Sequence, residues 1–208
     1  MSNPIPGSID ISSTMSSGYG IVQPWFPKLV YFKDELHTEQ LDLWADMIRT
    51  ELASINVPYT SELLVKSNHG QSNMLKTEEF APLWDTIIDH SKWFLGYMGY
   101  LNVKLQMTDA WANISYKDDY LFPHRHSGSL LSGAFYLKSS PTDRIMFLDS
   151  DPTLMRPSHP TELTWDKVTY DCYPGRLMLF KSDTLHGVTR QESNEEKIVI
   201  SFNIIGGY

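Results

Sequence analysis

The sequence predicts one domain, mainly β with flanking helices, whose strands roll into a sandwich or barrel. Three observations carry that expectation: a length suited to one core, two amphipathic helical stripes in the first hundred residues, and a series of short β-patterned runs after them. The chain has 208 residues, enough for one full-sized core and short for two. Hydrophobic residues make up 41% and aromatics 12%, with six Trp, a composition that packs rather than stays disordered.

The opening MSNPIPGSIDISSTMSSGYG has neither a basic leader nor an apolar run. Residues 1–20 therefore read as a flexible arm and 21–208 as a single domain, with one strand and two support helices over 21–100 and the β core over 101–208. WFPKLVYF is strand-like, with Pro at its edge. In KDELHTEQLDLWADMIRTELAS, Leu41, Trp44, Ile48 and Leu52 recur at intervals of three and four, the spacing of one helix face. A second helix is expected after Thr77, an N-cap with Glu78 and Glu79 in its first turn, and Leu83, Trp84, Ile87, Ile88, Phe94, Leu95 and Met98 form its stripe. Both stripes are the kind that packs on a sheet.

From about residue 100 the period changes. VKLQM, AWANISY, SLLSGAFYL, DRIMFLD, KVTYDCY, GRLMLFK, HGVTR and KIVISFNII are short β-like runs bounded by turn residues. Between two of them SDPTLMRPSHPTELTW, rich in Pro and polar residues, reads as a loop of the kind that closes over a site.

Charge and cysteine content narrow the function classes. With 25 acidic against 17 basic residues the net charge is −8, which disfavours phosphate backbones and anionic membranes as partners. No segment has the length of a membrane span. The lone cysteine, Cys172, excludes an internal disulfide and a thiolate metal cluster, and reads as a small buried residue of a cytoplasmic protein. Exposed helices and an N-terminal arm suit a homodimer.

The candidate chemistry lies in the histidines. LFPHRHSGSLLSGAFYL sets His124 and His126 one residue apart, on one side of an extended strand. Seven His in 208 residues give about 0.2 such pairs by chance, so the pair alone is suggestive. His186 follows PGRLMLFKSDTL and would open an antiparallel strand that returns beside the pair in a rolled-up double sheet. Three neutral imidazoles suit Fe(II), Zn(II) or another borderline divalent ion. His37, His69, His90 and His159 lack such partners and read as structural or solvated. Eleven residues beyond His186, Lys197 heads KIVISFNI and shares a strand face with Val199, Ser201 and Asn203, where a cation could anchor a substrate carboxylate.

HRH, LMLFKSDTLHGV and EEKIVISFN together resemble the signature of the 2-oxoglutarate and Fe(II)-dependent oxygenases: His-x-Asp/Glu, a long gap, His, then about ten residues to Arg or Lys. SNHGQSNML, AWANISY, LLSGAFYL and PGRLMLF are similar to a branch of small bacterial and bacteriophage members, and the likeness runs from about residue 25 to 205. The resemblance implies a double-stranded β-helix, or jelly-roll, core of the cupin-like type. It implies an Fe(II)- and 2-oxoglutarate-dependent dioxygenase that hydroxylates a small-molecule or peptide substrate with dioxygen. It makes His124 and His186 metal ligands, gives Lys197 the distal carboxylate of 2-oxoglutarate, and puts Asn113 on the cosubstrate strand. Tyr116, Ser132, Tyr136 and Ser201 are candidate hydroxyls lining the pocket. His126 stands where the family has a carboxylate, and Lys197 where it commonly has Arg. Asp118, Asp119, Asp149 and Asp151 are the carboxylates that could take His126's place, although none has the spacing. Two other readings stay open: a cupin-type three-histidine metalloenzyme that needs no 2-oxoglutarate, and a jelly-roll binding module without turnover.

Overall fold

The alternation in the second half of the chain becomes two antiparallel sheets in the computed structural model, which describes residues 27–54, 66–69, 77–140, 142–150, 157–161 and 164–207. The strands are β1 (Val30–Lys33), β2 (Lys66–Ser67), β3 (Lys104–Ser115), β4 (Leu121–His124), β5 (Leu131–Lys138), β6 (Arg144–Leu148), β7 (Lys167–Asp171), β8 (Leu177–Lys181), β9 (His186–Val188) and β10 (Lys197–Gly207). The helices are α1 (Leu41–Ser54) and α2 (Ala81–Tyr97). One sheet runs β1-β8-β5-β10-β3-β2 and the other β4-β9-β6-β7, so strands distant in sequence pair and the two sheets face each other as a jelly roll.

Period-two sorting decides what each face of the larger sheet meets. Leu131, Phe135 and Leu137 of β5, Leu177 and Leu179 of β8, and Ile198, Ile200, Phe202 and Ile204 of β10 pack with Leu41, Trp44, Ile48 and Leu52 of α1 and Leu83, Ile87, Phe94 and Leu95 of α2. Both helical stripes therefore cover the outer face of this sheet. The alternate residues Ala134, Tyr136, Met178, Phe180 and Val199 turn the other way and join Ile145, Phe147 and Cys172 between the sheets. Along β10 the same alternation places Lys197, Val199, Ser201 and Asn203 on that inner face.

Several expectations change in detail. VKLQM and AWANISY are parts of one twelve-residue strand, β3, because it pairs along nearly its whole length with β10. Thr77 makes no side-chain cap; Glu78–Phe80 form a 3-10 turn and the α-helix begins at Ala81. Pro82 explains that start, since its fixed φ and missing N–H suit a first helical turn. The proposed arm, residues 1–20, lies outside the described residues, as do 151–156 and 162–163 of the loop-like insert. Among the described residues no helix is long and apolar enough to cross a membrane.

Gly133, in the middle of β5, marks the closest approach in the sheet. A Cβ there would stand 2.5 Å from the Met178 carbonyl oxygen and overlap the Phe202 ring, and the backbone oxygen has no rotamer by which to yield. Gly133→Ala is expected to destabilise the fold by about 1–3 kcal/mol or more, read as a lowered urea midpoint with an unchanged slope.

Candidate metal centre and cavity

Antiparallel pairing of β4 with β9 sets His124 directly opposite His186, the arrangement that brings two side chains together across strands. Pro123 offers no N–H to this ladder, and the register shifts between Leu121 and His124. The strand consequently ends at His124, and His126 lies beyond it rather than two places along the same strand face. Its backbone N–H donates to the Ser182 carbonyl at 2.9 Å, which returns the ring to the other two. Ring centroids are 5.1 Å apart for His124 and His126, 4.5 Å for His124 and His186, and 5.1 Å for His126 and His186. One ring nitrogen from each lies within 4.8 Å of the others, so a modest adjustment brings all three onto one ion.

The other ring nitrogen of each histidine is held by an oxygen. His124 Nδ1 sits 2.8 Å from the Phe122 carbonyl, and His186 Nδ1 2.9 Å from the Thr184 carbonyl. His126 Nδ1 sits 2.8 Å from Asn203 Oδ1. These oxygens only accept, so each Nδ1 carries the proton and each Nε2 presents a lone pair. Such outer bonds fix tautomer and ring direction in metal sites. Burial lowers the His186 pKa to about 4 and lowers that of His126 too, and the neighbouring imidazoles push the same way. Both rings are neutral at physiological pH, the state a metal requires.

A cavity of about 390 Å³ opens between the sheets beside these rings, at the small end of the usual range for small-molecule sites. Asn113, Ser132, Tyr136, Lys197 and Ser201 line it with the three histidines. Lys197 is only 4% exposed and has no ion pair among the described residues, an unusual state for an ammonium group. The Asn113 amide donates to Ser201 Oγ at 3.3 Å. Tyr116 differs from expectation: it is 44% exposed, is not part of the cavity wall, and its hydroxyl donates to Glu196. It stands just past the end of β3, where the strand no longer dictates that the chain face inward. Among the carboxylates considered as substitutes for His126, Asp118 pairs with Arg190, Asp119 accepts from the Tyr116 N–H and Asp149 pairs with Lys28, while Asp151 lies outside the described residues.

Other wall residues went unrecognised in the sequence. Asn203 ties His126 to β10 and also accepts from the Ser132 hydroxyl at 2.7 Å; its place on the Lys197 face was the available signal. His69, read above as structural or solvated, lines the cavity with Nε2 3.0 Å from Asp109 Oδ2 and its ring 4.5 Å from that of Trp111. Asn68 puts it there by pairing with Ala112 through both its backbone N–H and its side-chain oxygen. His37 and His90, by contrast, bond Thr86 and Tyr31 against the helices and serve packing.

A three-imidazole cluster that could hold one metal ion lies inside a jelly roll, with a buried cation in the same cavity. Residues 109–203 match the family described as "Putative 2OG-Fe(II) oxygenase", and over that stretch the chain is similar to enzymes that use Fe(II), 2-oxoglutarate and dioxygen. Solved structures with the same fold include the α-ketoglutarate-dependent epimerase SnoN from nogalamycin biosynthesis, 14% identical, covering 86% of this chain and 76% of that one, with a TM-score of 0.65. The viral collagen prolyl hydroxylase of Paramecium Bursaria Chlorella virus-1 is 13% identical over 86% of this chain and 96% of its own, with a TM-score of 0.55. HygX from Streptomyces hygroscopicus, solved with nickel and 2-oxoglutarate, is 12% identical over 85% and 82%, with a TM-score of 0.59. No curated protein matches the sequence.

Asn203→Ala frees the His126 ring and leaves the Ser132 hydroxyl without this acceptor. Metal affinity is expected to fall about 10–100-fold, measured by competition with a chelator of known affinity, while the far-ultraviolet circular dichroism stays unchanged.

Proposed function

We propose that His124, His126 and His186 hold Fe(II), that Lys197 secures the far carboxylate of 2-oxoglutarate, and that the enzyme hydroxylates a small-molecule or peptide substrate. The observation that carries this reading is Lys197, a buried cation with no direct ion pair among the described residues, only the more distant Asp119 within electrostatic reach, in the cavity that the three imidazoles share. Burying an unpaired ammonium is costly unless an anion completes it. A carboxylate ligand supplies that charge, and its other end reaches toward the histidines. The donor set fits a borderline divalent metal: three neutral nitrogens leave coordination positions free for cosubstrate and dioxygen.

When bound, the iron supplies the redox chemistry that decarboxylates 2-oxoglutarate to succinate and carbon dioxide and oxidises a substrate C–H bond. The protein's own residues hold and orient. The Phe122 and Thr184 carbonyls and Asn203 keep the imidazoles aimed, Lys197 gives the cosubstrate its direction, and Ser132, Ser201, Asn113 and Tyr136 offer hydrogen bonds along the wall. Lys grips a carboxylate as a point charge where Arg would hold it with two prongs. The lone buried Cys172 is in keeping with a cytoplasmic enzyme, and 21–208 is proposed as its single domain. Exposed Trp93, Tyr97 and Leu101 at the end of α2 support a homodimer, testable by sedimentation.

A cupin-type enzyme that takes no 2-oxoglutarate is favoured by one feature, the third histidine in place of a carboxylate, and it leaves Lys197 without a task. Anaerobic titration separates the two. Adding Fe(II) and then 2-oxoglutarate should produce a visible metal-to-ligand charge-transfer band, and iron binding without that band would rule out the cosubstrate. Lys197→Ala should weaken 2-oxoglutarate binding at least about tenfold while keeping the metal, whereas His186→Ala should abolish both; equal metal loss in the two variants would contradict this division of roles.

A further inference from the structure

The charges around the cavity are one-sided. The chain has 25 acidic residues in 208, yet no Asp or Glu is among the described residues that line this wall, whereas Lys197 and Arg125 both are. Two carboxylates lie just outside the wall, Asp109 on His69 at 3.0 Å and Asp119 on the Tyr116 N–H within electrostatic reach of Lys197, and neither lines the cavity itself. The proposed function accounts for Lys197 and leaves Arg125 unused.

Arg125 is exposed and makes no hydrogen bond or ion pair among the described residues. An exposed arginine is ordinarily only solvated. This one is the residue between two of the clustered histidines, and its backbone is fixed on both sides. His124 is held by the β4–β9 ladder and His126 by its N–H bond to Ser182. The break in the strand at His124 is what allows Arg125 to reach the cavity, since continued alternation would turn it outward. Arg125 is therefore tethered beside the histidine cluster as an exposed residue of the cavity wall, while Lys197 is buried within. Trp111, its ring 4.5 Å from His69 and 5.8 Å from His126, adds an aromatic wall near the same centre.

We infer that the substrate to be oxidised is an anion whose carboxylate or phosphate is bound by Arg125 at the rim. The guanidinium fork matches either group with two parallel hydrogen bonds. A positively biased cleft in an acidic protein also draws anions in preference to cations and neutral molecules. With the cosubstrate on Lys197, a second anchor at the rim fixes the substrate at one end and leaves its body against the metal. The inference rests on the proposed function for the assignment of Lys197, and its test keeps the two apart.

The full-length protein is loaded with Mn(II) and saturating 2-oxoglutarate, and nuclear magnetic relaxation is measured for three probes: phenylacetate, phenyl phosphate and the neutral 2-phenylacetamide. At least one anion should be relaxed about fivefold or more strongly than the amide, falling to the amide's level in Arg125→Ala and partly recovering in Arg125→Lys. The stronger of the two anions distinguishes carboxylate from phosphate. Equal relaxation of acids and amide, or an anion preference that survives in Arg125→Ala, overturns the inference. The Fe(II) charge-transfer band is read in parallel. A missing band with an intact Arg125-dependent preference removes the cosubstrate assignment and supports the anion site, whereas a normal band without the preference does the reverse.

Discussion

The constraint on which the structure depends is the crowding of three neutral imidazoles where the two sheets meet. Such rings gain little from one another without an ion, and their closeness would become repulsive if they were protonated. Burial disfavours the charged form at His126 and most strongly at His186, and the fixed Nδ1 bonds leave the Nε2 side of each ring for a shared ion. The two backbone carbonyls involved belong to residues two positions before their histidines. Orientation at His124 and His186 thus comes from the local backbone, the strand at Phe122 and the turn before β9 at Thr184, whereas His126 depends on a distant side chain.

That dependence runs through β10, which also supplies the core. Ile198, Ile200, Phe202 and Ile204 hold the strand against the helices, and the residues between them build the cavity wall. Apolar packing on one face therefore sets the positions of Lys197, Ser201 and Asn203 on the other to within the stiffness of a paired strand. β10 is flanked by β5 and β3, so it has no free edge through which to shift register. A site on a central strand, backed by two helices, is rigid by construction, which suits the role proposed for Lys197.

Much of this was legible in the sequence because it depends on local period. The helical stripes, the strands and the return of His186 beside His124 follow from spacings of three, four and two. The family resemblance added the role of Lys197. What was not legible depends on where periodicity stops or on contacts between distant segments. His126 joins the other two rings as expected but from past the end of β4, held by its N–H bond to Ser182 rather than by alternation, and Tyr116, past the end of β3, is not part of the cavity wall. His69 reached the cavity through Asn68, whose pairing with Ala112 spans 44 positions of sequence and leaves no pattern in either segment.

The third histidine, which at first looks like a defect, has an electrostatic consequence. A carboxylate at that place would bring one negative charge to the centre, and His126 brings none. Under the proposed function a doubly charged metal is balanced by a doubly charged cosubstrate, which leaves Lys197, with only Asp119 in electrostatic reach, and Arg125 as positive charge in the wall. A cavity that closes over net positive charge is destabilised unless something negative enters it. A centre without a ligand carboxylate and a described wall without acidic residues act in the same direction, and under the proposed function an anionic substrate adds to the charge that Asp109 and Asp119 supply from outside the wall. Under the proposed function the ring at residue 126 thus links the two: a neutral third ligand at the metal goes with an anionic substrate beside it.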